Sequence, residues 1–169
     1  MPTPGPIVLD TVTLRMYTPF AEAGFDFAAS RFSAHHWGDL PAGLRECRRV
    51  LKPGATAIFM DGVTPGRPLL DTWLQAIELL RDPSHVRDHG IDEWSRLLEV
   101  AGFDLQRVQR FSLRLDFASW IARIGTPPEQ AAAILALQRQ APDEVVRHFD
   151  FAADGSFTLD TACFEAVAA

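Results

Sequence analysis

Two rhythms of apolar positions alternate along this chain. Short, mostly apolar runs at residues 25–30 and 55–60 have the length of buried strands. The stretches between and after them repeat apolar residues every three or four positions, the period of a helix with one buried face. Phe25–Ser30 is the first such run, and it opens into a polar, aromatic loop, Arg31-Phe32-Ser33-Ala34-His35-His36-Trp37. A helix is predicted over Asp39–Leu51: Asp39 caps it, Pro41 fits its first turn, and Leu40, Leu44, Cys47 and Leu51 form a stripe. Arg45, Arg48 and Arg49 lie off that stripe and read as a solvated face. Lys52-Pro53-Gly54 stops the helix, and Ala55–Met60 is a second strand, ended by Asp61. Strand, helix and strand with short connections make a parallel pair with a right-handed crossover.

The rest of the chain continues in this manner. Asp61–Pro68 is a loop, Leu69–Leu80 a helix, 81–90 a polar connection and Asp92–Ala101 a helix stopped by Gly102. A strand is predicted from Leu105 to Leu115, then short helices near 118–124, 127–138 and 142–149, and a final strand over Phe157–Ala168. Residues 1–7 carry three prolines and read as a lead-in. Val8–Met16 alternates loosely, as a strand does. The fold class is therefore α/β, with residues 1–17 set apart from one α/β domain over 18–169.

Composition narrows the function classes. The chain has 169 residues, 47% hydrophobic and 22% charged, which suits one globular domain. A net charge of -6 argues against nucleic acid as a partner, because phosphate contacts need a basic surface. No apolar run is long enough to span a membrane, and no signal-peptide pattern precedes the first strand. Cys47 and Cys163 have neither disulfide-framework nor metal spacing, so two free thiols in a reducing cytoplasm are expected.

Ligands of open α/β sheets sit beyond the carboxyl ends of strands, which directs attention to the histidine loop. His35 and His36 are candidate catalytic groups, one serving as base or hydrogen-bond donor to an acceptor; the alternative is packing beside Trp37. Asp61 either orients a substrate or begins a turn. Trp73, Trp94 and Trp120 sit on apolar helical faces and read as packing.

Several motifs in order carry a resemblance. Thr18-Pro19-Phe20-Ala21-Glu22-Ala23-Gly24-Phe25-Asp26 resembles the lead into strand 4 of class I S-adenosylmethionine-dependent methyltransferases, in particular the ubiquinone/menaquinone-biosynthesis-like group. Ser30–Trp37 is similar to that group's loop after strand 4. Leu44-Arg45-Glu46 with Arg49-Val50-Leu51-Lys52-Pro53-Gly54 resembles its helix and turn before strand 5. Arg81-Asp82-Pro83-Ser84-His85-Val86-Arg87, Glu93-Trp94, Ala101-Gly102-Phe103, Ala118–Arg123 and Gly125-Thr126-Pro127 resemble a subgroup.

The resemblance implies a partial Rossmann-like sheet with strands in the order 4-5-7-6, the last strand antiparallel, under a helical cap. It implies S-adenosylmethionine as cofactor, with Ser30, Arg31 and Phe32 along it, and an unknown small molecule as methyl acceptor. Trp37, Asp61, Arg81, His85 and Arg87 then contact the acceptor. For Arg81 and Arg87 the alternative is local ion pairing with Asp82 and Asp88.

One feature of the group is missing. The chain's eleven glycines include no G-x-G pair, and residues 1–16 do not resemble the Gly-rich turn that holds the cofactor. The expectation is a C-terminal portion of the fold with impaired activity, the alternative a non-catalytic interaction module. Strand 4 then has an exposed edge, covered either by Val8–Met16 folding back or by a second copy in a homodimer.

Overall fold

The computed structural model describes residues 18–169 and the backbone of one two-residue strand, β1 (Ile7–Val8). In chain order there follow β2 (Phe25–Arg31), a short 3-10 turn (Ala34–His36), α1 (Leu40–Val50), β3 (Leu51–Thr64), α2 (Pro68–Arg81), β4 (His89–Gly90) and α3 (Ile91–Val100). Then come β5 (Phe103–Leu115), α4 (Phe117–Ala122), α5 (Pro128–Gln140), α6 (Asp143–Phe149) and β6 (Phe157–Ala168). The main sheet runs β1-β2-β3-β6-β5, with β4 paired to β3 off this path. β1, β2 and β3 are parallel, and β6 is antiparallel to both of its neighbours. This is the expected strand order, with the last strand inserted between the two that precede it. Apart from Val8, the predicted strand Val8–Met16 lies outside the described residues.

The β2-α1-β3 unit forms for the reasons its sequence suggests. Asp39 accepts from the Ala42 N–H at 2.8 Å and caps α1, and Leu40, Leu44, Cys47 and Val50 are buried along one face. β3 is longer than predicted at both ends. The ladder to β2 skips between Phe25↔Leu51 and Phe27↔Thr56, and Gly54, at φ +79°, allows the excursion that carries Lys52-Pro53-Gly54 within the strand. At the other end, pairing with β6 as far as Gly62 and with β4 at Val63 and Thr64 extends β3 past Asp61. Asp61 is thus a buried residue inside a strand and begins no turn.

Two apolar clusters flank the sheet. One joins α1 and α3 to the strands, with Trp94 stacked on Phe164 at 5.0 Å. The other joins α2 to α4, α5 and α6 through Leu74, Ile77, Trp120, Ile134, Phe149 and Phe157. These four helices make the cap. No helix among the described residues is long and apolar enough to cross a membrane.

The basic face of α1 departs from the expected solvated surface. Only Arg45 is exposed. Arg48 donates to the carbonyls of Gly102, Leu51 and Ala169, tying the helix to the paired start of β5 and end of β6. Arg49 donates from Nε and Nη2 to the two oxygens of Glu46 at 2.8 and 2.7 Å, and Glu46 also accepts from the N–H and hydroxyl of Thr18. The Arg49 hydrogen bonds, helped by Thr18 and opposed by burial, lower the Glu46 pKa from 4.5 to about 2. Because the folded value is depressed, this stabilisation is present above pH 4.5 and is lost as pH falls through 2. Urea unfolding from pH 6 downwards should therefore show a steeper acid loss in wild type than in Glu46→Gln. Parallel curves would remove Glu46 from the account.

Candidate functional site

The register of β2 on β3 builds the site. Arg31 pairs with Met60, and the Phe32 N–H still donates to the Met60 carbonyl at 2.8 Å. Phe32 then adopts φ +48°, a left-handed conformation uncommon for a bulky side chain, and the chain turns across the end of the sheet. The 3-10 turn sets His35 beside Asp61, the next residue along β3.

Asp61 is 2% exposed and fully engaged. Its Oδ1 lies 2.5 Å from His35 Nδ1 and accepts from the Gly62 N–H at 2.9 Å, while Oδ2 accepts from the His35 N–H at 3.2 Å. Burial lowers the His35 pKa, but the Asp61 hydrogen bond and the charges of Asp61, Asp88 and Glu78 outweigh it, and the value rises to about 9. The His35 carbonyl accepts from the N–H groups of Val86 and Arg87, which fastens the 82–88 connection over the turn.

His36 lies against His35 with ring centroids 4.1 Å apart and ring planes tilted by 47°. Its Nδ1 is 3.0 Å from the Ser84 hydroxyl, and that hydroxyl donates to Asp82 Oδ1 at 2.7 Å. With its proton committed to Asp82, Ser84 Oγ accepts from His36 Nδ1–H, which leaves the lone pair on Nε2, 3.9 Å from Asp82 Oδ2. Burial, with the neighbouring His35 charge, lowers the His36 pKa. His85 is buried, donates from Nε2 to Gln75 Oε1 at 2.7 Å, and is lowered to about 4 by burial and then by the charges of His35 and His36.

His35 and His36 border a cavity of about 200 Å³, whereas His85 and Asp61 lie behind its lining. Phe32, Leu113, Leu115, Trp120 and Leu159 supply its apolar wall. His35, His36, Glu78, Arg81 and Asp88 supply its polar wall. Burial raises the pKa of both Glu78 and Asp88. Arg81 lies over the Trp120 ring at 4.8 Å and donates from Nε to the Trp120 carbonyl at 3.2 Å, so it ties α2 to α4 while walling the cavity.

The structure sorts the remaining sequence candidates. Ser30 is buried at the carboxyl end of β2, and its hydroxyl has no hydrogen-bond partner among the described residues. Arg31 is exposed and rests over the Phe32 ring at 4.9 Å. Trp37 faces the core rather than the cavity: it is 5% exposed, donates to Ser33 Oγ at 3.3 Å, and lies so close to α1 that a Cβ at Gly43 would come within 2.5 Å of its ring. Arg81 pairs with Glu78 and Arg87 with Glu93, not with the adjacent aspartates. Arg87 does not line the histidine cavity. It borders a separate one of about 530 Å³ with Val63, Thr64 and Asp160.

Glu78, Asp88, Gln75 and Ser84 were not among the sequence candidates. Glu78 had a signal, since it adjoins Ile77 and follows Leu74 by four residues on the apolar face of α2, where a charge is out of place. Asp88 has no comparable local mark.

Comparison with known proteins bears on the family and the fold. A family described as a methyltransferase domain matches residues 3–59. The uncharacterized protein YafE of Escherichia coli (strain K12) is 45% identical over 148 residues, 88% of this chain and 72% of its own length. The uncharacterized methyltransferase YcgJ of Bacillus subtilis (strain 168) is 35% identical over 126 residues, 75% of this chain and 50% of that relative. The crystal structure of YcgJ superposes with a TM-score of 0.84 at 31% identity, covering 90% of this chain and 67% of the other. A sheet of this strand order, a histidine loop at the end of the strand before α1, and relatives of this identity and coverage lead to one assignment: the chain belongs to the class I S-adenosylmethionine-dependent methyltransferases.

Proposed function

We propose that the protein takes part in S-adenosylmethionine-dependent methyl transfer to a small acceptor held in the cavity beside His35 and His36. The observation that carries this reading is the Asp82–Ser84–His36 chain, which favours one tautomer of a histidine that lines a largely apolar cavity and leaves the lone pair on Nε2. A cavity of about 200 Å³ suits a small molecule with an apolar body and one reacting O–H, N–H or C–H group. His36 takes the acceptor's proton, and Asp61 holds His35 as a donor that orients the acceptor. Arg81 and Trp120 close the cavity on the cap side.

The carboxyl end of β2 fits one wall of the cofactor site. Ser30 offers a buried hydroxyl with no partner among the described residues, and Phe32 turns its backbone there in the left-handed region. Ser30, Arg31 and Phe32 are the residues proposed to lie along the cofactor. When bound, the cofactor supplies a methyl group already activated on a sulfonium, so these side chains have only to align the acceptor and remove its proton.

A second reading, a methyltransferase-like interaction module that binds no cofactor, is favoured by the lack of any G-x-G pair in the sequence. Calorimetric titration of S-adenosylmethionine into protein of known oligomeric state separates the two. Saturable binding that weakens about fivefold in Ser30→Ala, the loss of roughly one hydrogen bond, supports the transferase. No heat at millimolar cofactor supports the module.

A further inference from the structure

In the polar wall of the cavity, one carboxylate oxygen is left without a hydrogen-bond partner among the described residues. Asp88 has a side chain 4% exposed, and its Oδ2 has no hydrogen-bond partner among the described residues. Its position is nevertheless firmly set. Gln75 grips its backbone from both sides, donating from Nε2 to the Asp88 carbonyl at 2.9 Å and accepting the Asp88 N–H at 3.1 Å. Gly62 leaves room for it, since a Cβ there would stand 2.8 Å from Asp88 Oδ1. The carboxylate is thereby brought up to the His35–Asp61 pair, and one ligand atom from each of the three residues lies within 4.8 Å of the other two.

A carboxylate buried in this way needs a positive partner, and the one charge that reaches it, that of His35, is shared with Asp61 and Glu78. Arg81 does not supply one, being engaged with Glu78 and Trp120. His85 is committed to Gln75 through Nε2, which lies 3.9 Å from Asp88 Oδ2. A proton on Oδ2 would itself need an acceptor, and none lies within hydrogen-bond reach among the described residues.

We propose that His35, Asp61 and Asp88 form a binding site for a divalent first-row metal ion such as Mn²⁺ or Zn²⁺, which displaces the proton held between His35 Nδ1 and Asp61 Oδ1 and releases it to solvent. One imidazole nitrogen and two carboxylates suit such ions, whereas Ca²⁺ takes six to eight oxygens. The cavity beside the three residues leaves space for water or an acceptor oxygen to complete the coordination. The site does not depend on methyl transfer and is tested apart from it.

The test is calorimetric titration of MnCl₂ and of ZnCl₂ into chelator-treated protein, with thermal unfolding followed in parallel. One ion per chain and a raised Tm are expected. Asp88→Asn should lose at least about tenfold in affinity, because a ligand is worth no less than the outer-shell groups that orient it. The same variant without metal should keep or raise its Tm, since it removes an unpartnered buried charge. Should Asp88→Asn fail to fold, Gly62→Ala crowds Asp88 and serves as the second variant, with the same loss of affinity expected. Absence of saturable binding by either ion at millimolar concentration, or equal affinity in wild type and in a folded variant, overturns the proposal.

Discussion

Asp61→Ala should lower the unfolding free energy by about 3–5 kcal/mol, the range seen when one partner of a buried pair is removed. The reason lies in the donors it leaves behind. The His35 ring, the His35 N–H and the Gly62 N–H all turn to Asp61, and the residue is 2% exposed, so water cannot readily replace the lost acceptor. The damage should spread along the chain. Without Asp61 to hold the turn, the His35 carbonyl no longer anchors Val86 and Arg87, and amide exchange across 82–88 should quicken. A double-mutant cycle with His35→Ala isolates the pair: the second substitution removes the stranded ring, and the two losses should fall well short of adding. Additive losses would mean that the backbone donors carry the effect and the ring does not.

His36→Ala should reduce kcat/KM for methyl transfer by about 10²–10⁴, the usual contribution of a positioned general base. Affinity for S-adenosylmethionine should be unchanged, because the residues proposed to lie along the cofactor are Ser30, Arg31 and Phe32. Stability should change by less than in Asp61→Ala, since the ring meets Ser84 and the neighbouring His35 and His85 rings and belongs to neither apolar cluster. Ser84→Ala should give a smaller activity loss: it removes the oxygen that fixes the His36 tautomer and leaves Nε2 in place. Equal losses in the two variants would instead assign the effect to the shape of the connection. Full activity in His36→Ala would remove the proposed proton acceptor and return attention to His35.

Both predictions depend on contacts between residues distant in sequence, and this marks the boundary of what local pattern could reveal. The β2-α1-β3 unit, the cap helices and the long final strand were legible because each is decided by nearby residues. Asp39 caps the helix that follows it, the Leu40-Leu44-Cys47 spacing defines its face, and the apolar run of β2 has one strand's length. The histidine loop was legible as a site for the same reason, as a polar break at the end of a buried strand.

Tertiary structure decided what the individual residues do. Asp61 ended a run in the sequence, yet β6 and β4 continue the strand past it, and the register of β2 on β3 makes it the partner of His35, 26 positions away. Trp37 belonged to the polar loop by position, yet the glycine at 43 opens α1 to receive it in the core. Arg48 and Arg49 lay on a face that should meet solvent, and the paired ends of β5 and β6 and Thr18 covered it. Glu78 and Asp88 converge on His35 only because α2 and the connection after it fold back over the end of the sheet. By itself, then, the sequence determined the order and type of elements and the place where chemistry would gather, since propensity and periodicity act over a few residues. The pairing of charges, the burial of an indole and the choice between donor and acceptor were decided by strand register and by the packing of the cap, which no local window contains.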